Sequence, residues 1–81
     1  MKTTTYFESR RRLPDRTDIP DSWIEHVVRN PVVMETQSDG RIRKWGRIDD
    51  AGGRYLRVVL LEDGETVHNA FFDRGFRELR E

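Results

Sequence analysis

Two Asp-Gly dipeptides restrict the fold of this chain more than any other feature. Asp39-Gly40 and Asp63-Gly64 each stand between segments in which apolar and polar residues alternate. This dipeptide favours a tight turn between antiparallel strands. Each one therefore predicts a β-hairpin, and both hairpins fall after Pro31.

Together the hairpins predict a four-stranded antiparallel meander. The predicted strands are Val32–Gln37, Arg41–Ile48, Tyr55–Leu61 and Thr66–Phe72. A loop over Asp49–Gly53 joins the two hairpins. The run Val58-Val59-Leu60-Leu61 favours a central position for the third strand, because only a strand covered on both faces is apolar throughout.

The segment before Pro31 has the period of a helix. Its apolar residues recur on one face of that helix and are Ile19, Trp23, Ile24, Val27 and Val28. Pro20 suits the first helical position, and Pro31 forces Asn30 out of helical geometry. We expect a helix over residues 20–29 that packs on the sheet through this stripe, with Trp23 in the core, which makes the fold class α+β with two layers.

A chain of 81 residues has room for a single domain. Residues 1–18 form a poorly defined N-terminal segment, in which 3–7 have strand-like composition. The helix falls within 19–30, the sheet within 32–73 and a tail within 74–81. Phe76 and Leu79 have the spacing of one helical turn in that tail.

Charge is balanced over the whole chain but not along it. Fifteen basic residues face 15 acidic ones, whereas residues 41–57 carry six basic and two acidic groups, a local net charge of +4. Thirteen of the 15 cations are arginine, whose planar guanidinium suits phosphate and carboxylate groups. The basic middle indicates either an anionic ligand or internal ion pairs.

Composition also excludes several classes of protein. The chain has no cysteine, which rules out disulfides, cysteine-ligated zinc, iron–sulfur clusters and thiol catalysis. No apolar run reaches the length of a membrane span, and the first residues lack the apolar stretch of a secretory signal. His26 and His68 lie too far apart in sequence to indicate a metal site. We expect a soluble, cytoplasmic protein without cofactor, metal or membrane contact.

Two-residue turns would set the register of both hairpins. In the first hairpin they place Met34 opposite Trp45, Glu35 opposite Lys44 and Thr36 opposite Arg43. In the second they pair Leu60 with Val67, Val59 with His68, Leu56 with Phe71, Tyr55 with Phe72 and Arg54 with Asp73. The loop between the hairpins places Trp45 opposite Arg57 and Ile48 opposite Arg54.

This register predicts two chemically different faces. The core face comprises Val33, Ile42, Ile48, Leu56, Val58, Leu60, Val67 and Phe71, with Lys44–Glu35 and Arg54–Asp73 pairs near its edges. The second face comprises Arg41, Arg43, Trp45, Arg47, Tyr55, Arg57, His68 and Phe72, mixed with Met34, Val59, Leu61 and Ala70. No acidic residue among the paired positions points to the second face.

A basic and aromatic sheet face is typical of surfaces that bind single-stranded nucleic acid, because guanidiniums bind phosphates and rings stack on bases. The predicted binding residues are Arg41, Arg43, Trp45 and Arg47. The predicted catalytic residues are His68 as general base, Arg57 to stabilise a pentacovalent phosphate, and Tyr55 beside it. The alternatives are a solvated arginine stripe, a His68 that only shares a hydrogen bond, and a Trp45 covered by the N-terminal segment or the tail.

The order of elements resembles a known toxin superfamily. A helix ends at Asn30-Pro31, a hairpin follows at Asp39-Gly40-Arg41, and the strand Tyr55-Leu56-Arg57-Val58-Val59 precedes a final aromatic strand. Together with Arg12, Arg16 and Ile19 ahead of the helix, this pattern is similar to small members of the BrnT-like and RelE/ParE-like toxins. The resemblance implies a sheet covered by helices on one side, mRNA cleavage on the other side with or without the ribosome, and an antitoxin partner.

Two functional hypotheses follow. The first is a toxin-like domain of a type II toxin–antitoxin system that binds or cleaves RNA as a metal-independent endoribonuclease. The second is a non-catalytic module, or a protein without enzymatic activity, in which the second face docks an acidic or amphipathic partner or a second copy of the chain.

Overall fold

A computed structural model describes residues 1–77, which form two helices and one antiparallel sheet of strand order β1-β2-β3-β4. The helices are α1 (Thr5–Arg10) and α2 (Asp21–Arg29); the strands are β1 (Val33–Thr36), β2 (Ile42–Ile48), β3 (Arg54–Leu60) and β4 (Val67–Phe72). A short 3₁₀ turn, Asp49–Ala51, joins β2 to β3. The predicted α+β meander is confirmed, whereas Leu79 lies outside the described residues. No helix within residues 1–77 has the length and apolarity needed to cross a bilayer.

Helix α2 forms where the apolar stripe predicted it and packs against β2 and β3. Pro20 caps the helix in extended geometry, so the first helical residue is Asp21 rather than Pro20. Ile24 and Val27 are 1% and 0% exposed. Trp23 packs beside this core, with its ring edge-on to Phe72 at 6.1 Å between centroids.

The N-terminal segment is helical where its composition suggests a strand. The Thr4 hydroxyl accepts a hydrogen bond from Phe7 N at 3.0 Å, which satisfies one of the free N–H groups at the start of α1. Phe7 is 2% exposed and joins the core. Before the helix, Thr3 pairs in parallel with Val67 of β4. The N-terminus therefore covers the outer edge of β4.

One layer of apolar side chains lies between the helices and the sheet. Its buried members are Phe7, Ile19, Ile24, Val27, Ile48, Leu56, Val58, Leu60, Val67 and Ala70. Five of the eight predicted core-face residues are among them, all on β2 and β3 except Val67 of β4. The positions of these buried residues show which side of β2, β3 and β4 faces α2.

Gly46 allows α2 to approach β2 closely. An added Cβ at this position would lie 2.9 Å from Val27 Cγ2 and 3.4 Å from Val27 Cα. Glycine inside a strand often marks such a close approach, although nothing in the local sequence distinguishes this one.

We expect Gly46→Ala to destabilise the fold by about 1–3 kcal/mol, because the methyl group would push α2 away from the sheet. Chemical denaturation measures the change. Gly75→Ala is the matched control, since the nearest atom that its Cβ would meet among residues 1–77 is Asp73 Oδ1 at 3.7 Å. Equal effects of the two substitutions would contradict this account of Gly46.

The register of the first hairpin is one residue away from the prediction. Val33 pairs with Trp45, Met34 with Lys44, and Glu35 with Arg43. The cause is the turn: Gln37 N donates to Arg41 O at 2.7 Å, so the loop contains residues 38–40 rather than two residues. Gly40 in this loop has φ +92°, which suits a three-residue connection.

This shift reverses the two sides of β1. Glu35 lies on the same face as Arg43, so the expectation of a second face without acidic residues is wrong, as is the Lys44–Glu35 pair. Lys44 instead faces α2 and donates from Nζ to Val28 O at 2.8 Å. Val33 and Met34 have exchanged the predicted sides, since a one-residue slip moves every side chain of a strand to the opposite face.

The middle pair of strands has the predicted register, with Trp45 opposite Arg57 and Ile48 opposite Arg54. Leu60 pairs with Val67, also as predicted. Beyond that pair the register shifts between Val59 and Leu60. His68 is therefore the extra residue of a β-bulge.

The bulge overturns the rest of the predicted β4 pairing. Arg57 lies opposite Phe71, Leu56 opposite Phe72, and Val59 opposite Asn69. Ala70 and Phe72 therefore pack towards α2, where they complete the core, and Phe71 lies on the other face. The predicted Arg54–Asp73 pair is wrong as well: the Arg54 guanidinium carbon lies 4.0 Å from the centre of the Phe72 ring.

Candidate nucleic-acid interface

The side of the sheet opposite α2 carries a cluster of arginines and aromatic residues. We define the arginine face as Arg43, Trp45 and Arg47 of β2 with Tyr55 and Arg57 of β3. Strand alternation places these residues together, because their neighbours Ile48, Leu56 and Val58 point into the core. These five residues are all predicted site residues. Of the other two, Arg41 lies beside the first turn, and His68 is described below.

Trp45 is the centre of this face and is only 5% exposed. Its indole Nε1 donates to Asp73 Oδ2 at 2.9 Å. The Phe76 ring lies nearly parallel to it, with 5.1 Å between centroids and 15° between planes. Of the alternatives considered for Trp45, coverage by the tail is the one that the structure contains.

Arg57 lies between two aromatic rings. Its guanidinium carbon is 5.5 Å from the ring centre of Trp45 and 5.2 Å from that of Phe71. Its Nη1 is 3.7 Å from Asp73 Oδ2, and its side chain is 24% exposed. Arg57 therefore combines cation–π contacts with one long ion pair.

The remaining predicted arginines also have acidic neighbours. Arg43 Nη1 is 3.7 Å from Glu35 Oε1, and Arg47 Nε is 3.1 Å from Asp49 Oδ1. Arg41 Nε lies 3.7 Å from Asp39 Oδ2. Internal pairing thus accounts for part of the basic middle of the chain, while Arg47 keeps 57% of its side chain exposed.

Arg16 extends the cluster and was not predicted as a site residue. It lies between the helices, yet its Nη1 donates to Asn69 Oδ1 at 3.0 Å and its guanidinium carbon is 5.2 Å from the Phe71 ring centre. The contact joins residues 53 apart in sequence, so no local pattern indicates it. Asn69 was missed because the bulge at His68 decides its face.

Three guanidiniums around this surface have incomplete hydrogen bonding. The Nε atoms of Arg16, Arg43 and Arg57 are buried and have no hydrogen-bond partner within residues 1–77, as is also true of Arg10 Nε on α1. A buried donor without an acceptor is costly. Because these Nε atoms are covered, an anion would reach Arg43 and Arg57 through the exposed parts of their side chains.

His68 does not lie beside Arg57. Its Nδ1 is 3.1 Å from the Thr4 hydroxyl, and its ring stacks on Tyr6 with 4.7 Å between centroids. Phe71 is the residue opposite Arg57, and it lies three residue steps along β4 from His68, a distance of roughly 10 Å. The predicted catalytic group is thus dispersed, with Tyr55 and Arg57 on the arginine face and His68 against α1.

Burial lowers the pKa of His68 below its usual value of 6.5, and the positive charge of Arg41 lowers it further. The folded protein therefore favours the neutral imidazole. Because the unfolded chain takes up this proton at higher pH, the stability that neutral His68 contributes is present above about pH 6.5 and is lost as the pH falls through the folded pKa.

We expect the free energy of unfolding of His68→Gln to fall less than that of the wild type between pH 7.5 and pH 5.5. Denaturant titrations at both pH values measure this difference. His26→Gln, on the exposed side of α2, should keep the wild-type dependence. If the free energy of unfolding falls equally in His68→Gln and in the wild type over this pH range, the stability contribution assigned to neutral His68 is wrong.

Within residues 1–77, no group of three or more His, Asp or Glu side chains lies close enough together to hold a metal ion. The fold and the arginine face define a small α+β protein with a cationic, aromatic sheet surface opposite its helices. No family model matches the chain, and no match was found among curated proteins or solved structures. Function is therefore inferred from the geometry of this surface.

Proposed function

We propose that the protein is a toxin-like α+β domain that binds single-stranded RNA through the arginine face. The observation that carries the proposal is the set of three partly exposed arginines, Arg16, Arg43 and Arg57, on one side of the sheet, each with its acidic neighbour at 3.7 Å or more. Phosphate oxygens are the acceptors that suit such planar donors.

The acidic neighbours leave room for this ligand. Glu35 and Asp73 each lie 3.7 Å from an arginine nitrogen, which is an ion-pair distance but longer than a hydrogen bond. An arginine has five N–H donors, so one long ion pair leaves most of them available. Tyr55 and Phe71, which are partly exposed on this side of the sheet, add ring surfaces on which bases stack.

Binding is favoured over cleavage by the position of His68. A general base must lie within hydrogen-bond reach of the proton that it removes, directly or through one water. His68 is roughly 10 Å along β4 from the residue that faces Arg57, and its Nδ1 contacts Thr4. The resemblance to RelE/ParE-like toxins supports the placement of a ligand on this side of the sheet, but a shared fold does not by itself imply a nuclease.

The test is the salt dependence of binding to a 12-nucleotide single-stranded RNA, measured by fluorescence anisotropy. Each phosphate contact in a single strand contributes about −0.7 to the slope of log K against log salt, so three or four contacts predict a slope of roughly −2 to −3. A duplex of the same sequence should bind more weakly, because its bases are not free to stack. The absence of binding, or binding without a salt slope, would contradict the proposal.

A second candidate, a non-catalytic interaction module, is favoured by the free edge of β1. The backbone N–H of Gln37 donates to Arg41 O, so it points towards β2. Because the backbone groups of successive residues in a strand point in opposite directions, those of Met34 and Thr36 point away from β2, to the outer edge of the sheet. Val32 and Met34 are 44% and 60% exposed. Whereas Thr3 pairs with the β4 edge, no described strand pairs with the β1 edge, which suits strand pairing with a second copy.

We expect Met34→Pro to abolish any such dimer while leaving the fold intact, because proline removes only an outward N–H at a sheet edge. Light scattering after gel filtration measures the mass over a concentration series, with Met34→Ala as the control that keeps the N–H. A wild-type chain that stays monomeric at high concentration would exclude pairing through β1.

A further inference from the structure

The Trp45 surface is covered by the chain itself. After β4, Asp73 Oδ2 accepts the Trp45 Nε1 hydrogen bond at 2.9 Å and lies 3.7 Å from Arg57 Nη1. Phe76 stacks on the Trp45 ring and also lies 5.0 Å from the Tyr55 ring centre. A carboxylate and a flat ring thus occupy the middle of the arginine face.

These two groups have the chemistry of a nucleotide. A nucleotide offers a flat ring that stacks on an aromatic side chain and an anionic oxygen that binds a guanidinium. Phe76 holds the position of the ring above Trp45, and Asp73 holds the position of the anionic oxygen between the indole N–H and Arg57.

We propose that Asp73 and Phe76 occupy a nucleotide subsite of the arginine face, and that an RNA base and its phosphate bind there by displacing them. The proposal rests on the proposed function and adds its regulation. Asp73 and Phe76 act as intramolecular competitors that keep the subsite closed until a single strand replaces them.

The local connections suit this exchange. Asp73 N donates to Tyr55 O at 3.0 Å, which anchors the start of the tail to β3. Phe76 follows after Gly75, and its own N–H makes one 3.3 Å hydrogen bond, to Asp73 O. Among residues 1–77, displacing Phe76 therefore breaks few backbone hydrogen bonds. The Asp73 carboxylate leaves Trp45 by a side-chain rotation that also breaks the 3.1 Å hydrogen bond from Gly75 N to Oδ1.

Phe76→Ala separates this proposal from a purely structural role. Removing the competitor should tighten binding of a 12-nucleotide single-stranded RNA roughly 2- to 10-fold, the range that one aromatic stack of about 0.5–1.5 kcal/mol represents. If Phe76 only stabilised the face, the substitution would weaken binding or leave it unchanged. Acrylamide quenching of Trp45 fluorescence, in a Trp23→Phe background, should rise in the variant and so report the opened subsite without RNA.

Asp73→Asn provides a second test that removes the charge beside Arg57. Its single side-chain oxygen can still accept from Trp45 Nε1, whereas the hydrogen bond from Gly75 N to the second oxygen is lost. Glu35→Gln is its matched control, because Glu35 lies at the same 3.7 Å from an arginine nitrogen on this face. Binding should tighten more in Asp73→Asn than in Glu35→Gln. Equal effects in these two variants, or a Phe76→Ala affinity at or below that of the wild type, would overturn the competitor while RNA binding itself stands. RNA binding that is absent from every variant would overturn the proposed function and the competitor together.

Discussion

Arg57→Gln is expected to weaken binding of single-stranded RNA roughly 10- to 100-fold, which corresponds to the loss of a charge-assisted hydrogen bond of about 1.5–3 kcal/mol. Arg57 lies on the arginine face beside its centre, opposite Trp45 on one side and Phe71 on the other. Its removal takes away one phosphate contact, so the salt slope should also become shallower by about 0.7. Fluorescence anisotropy over a salt series measures both quantities.

Two further variants separate this effect from a general loss of charge. Arg29→Gln makes the same change on α2, whose exposed side is turned away from the arginine face, and should leave the affinity close to that of the wild type. Arg57→Lys keeps the charge but loses the planar guanidinium and its stacking, so its affinity should lie between that of Arg57→Gln and that of the wild type. Equal losses in Arg57→Gln and Arg29→Gln would show that the arginine face is not the binding surface.

Leu56→Ala is expected to destabilise the protein by about 2–5 kcal/mol, the range for emptying a buried leucine site. Leu56 is 0% exposed and lies between Gly46 and Phe72, beneath α2. A domain of this size has a small total stability, so a loss of this magnitude would leave a large unfolded fraction at 37 °C. Chemical denaturation at 15 °C should still resolve a folded baseline.

Val32→Ala is the control for Leu56→Ala. Val32 is 44% exposed, so its truncation should change the free energy of unfolding by less than about 0.5 kcal/mol. If Leu56→Ala lowers the free energy of unfolding by less than about 1 kcal/mol, the helices must move in to fill the cavity that the leucine side chain leaves. The core would then be less rigid than the close packing of α2 on Gly46 implies.

Much of the fold is predictable from local patterns. The apolar stripe from Ile19 to Val28 predicts α2 to within one residue at its start, and alternation predicts four strands in the correct order. The pairing of β2 with β3 is also predictable, because both strands alternate regularly and their connecting loop has the expected length. That pairing alone brings Trp45 and Arg57 together.

The errors come from single residues in the connections. Adding one residue to the first turn moved Glu35 to the arginine face, and the bulge at His68 exchanged Phe71 with Phe72. Neither change has a strong local signal, since Asp-Gly suits loops of more than one length and a bulge needs only one unpaired residue. For the bulge, the energetic reason is in the core, where Ala70 and Phe72 pack against the helix layer.

The amino-acid pattern alone determined the element order, the α+β class and the shared side of Arg43, Trp45, Arg47, Tyr55 and Arg57, because alternation within a strand is a local property of the backbone. The coverage of Trp45 by Asp73 and Phe76, and the arrival of Arg16 beside Asn69, depend on contacts between residues 28 and more apart. Such contacts follow from how the sheet, its bulge and its flanking segments pack together. For that reason the residues of the arginine face are evident from the sequence, whereas its closed state is evident only from the folded chain.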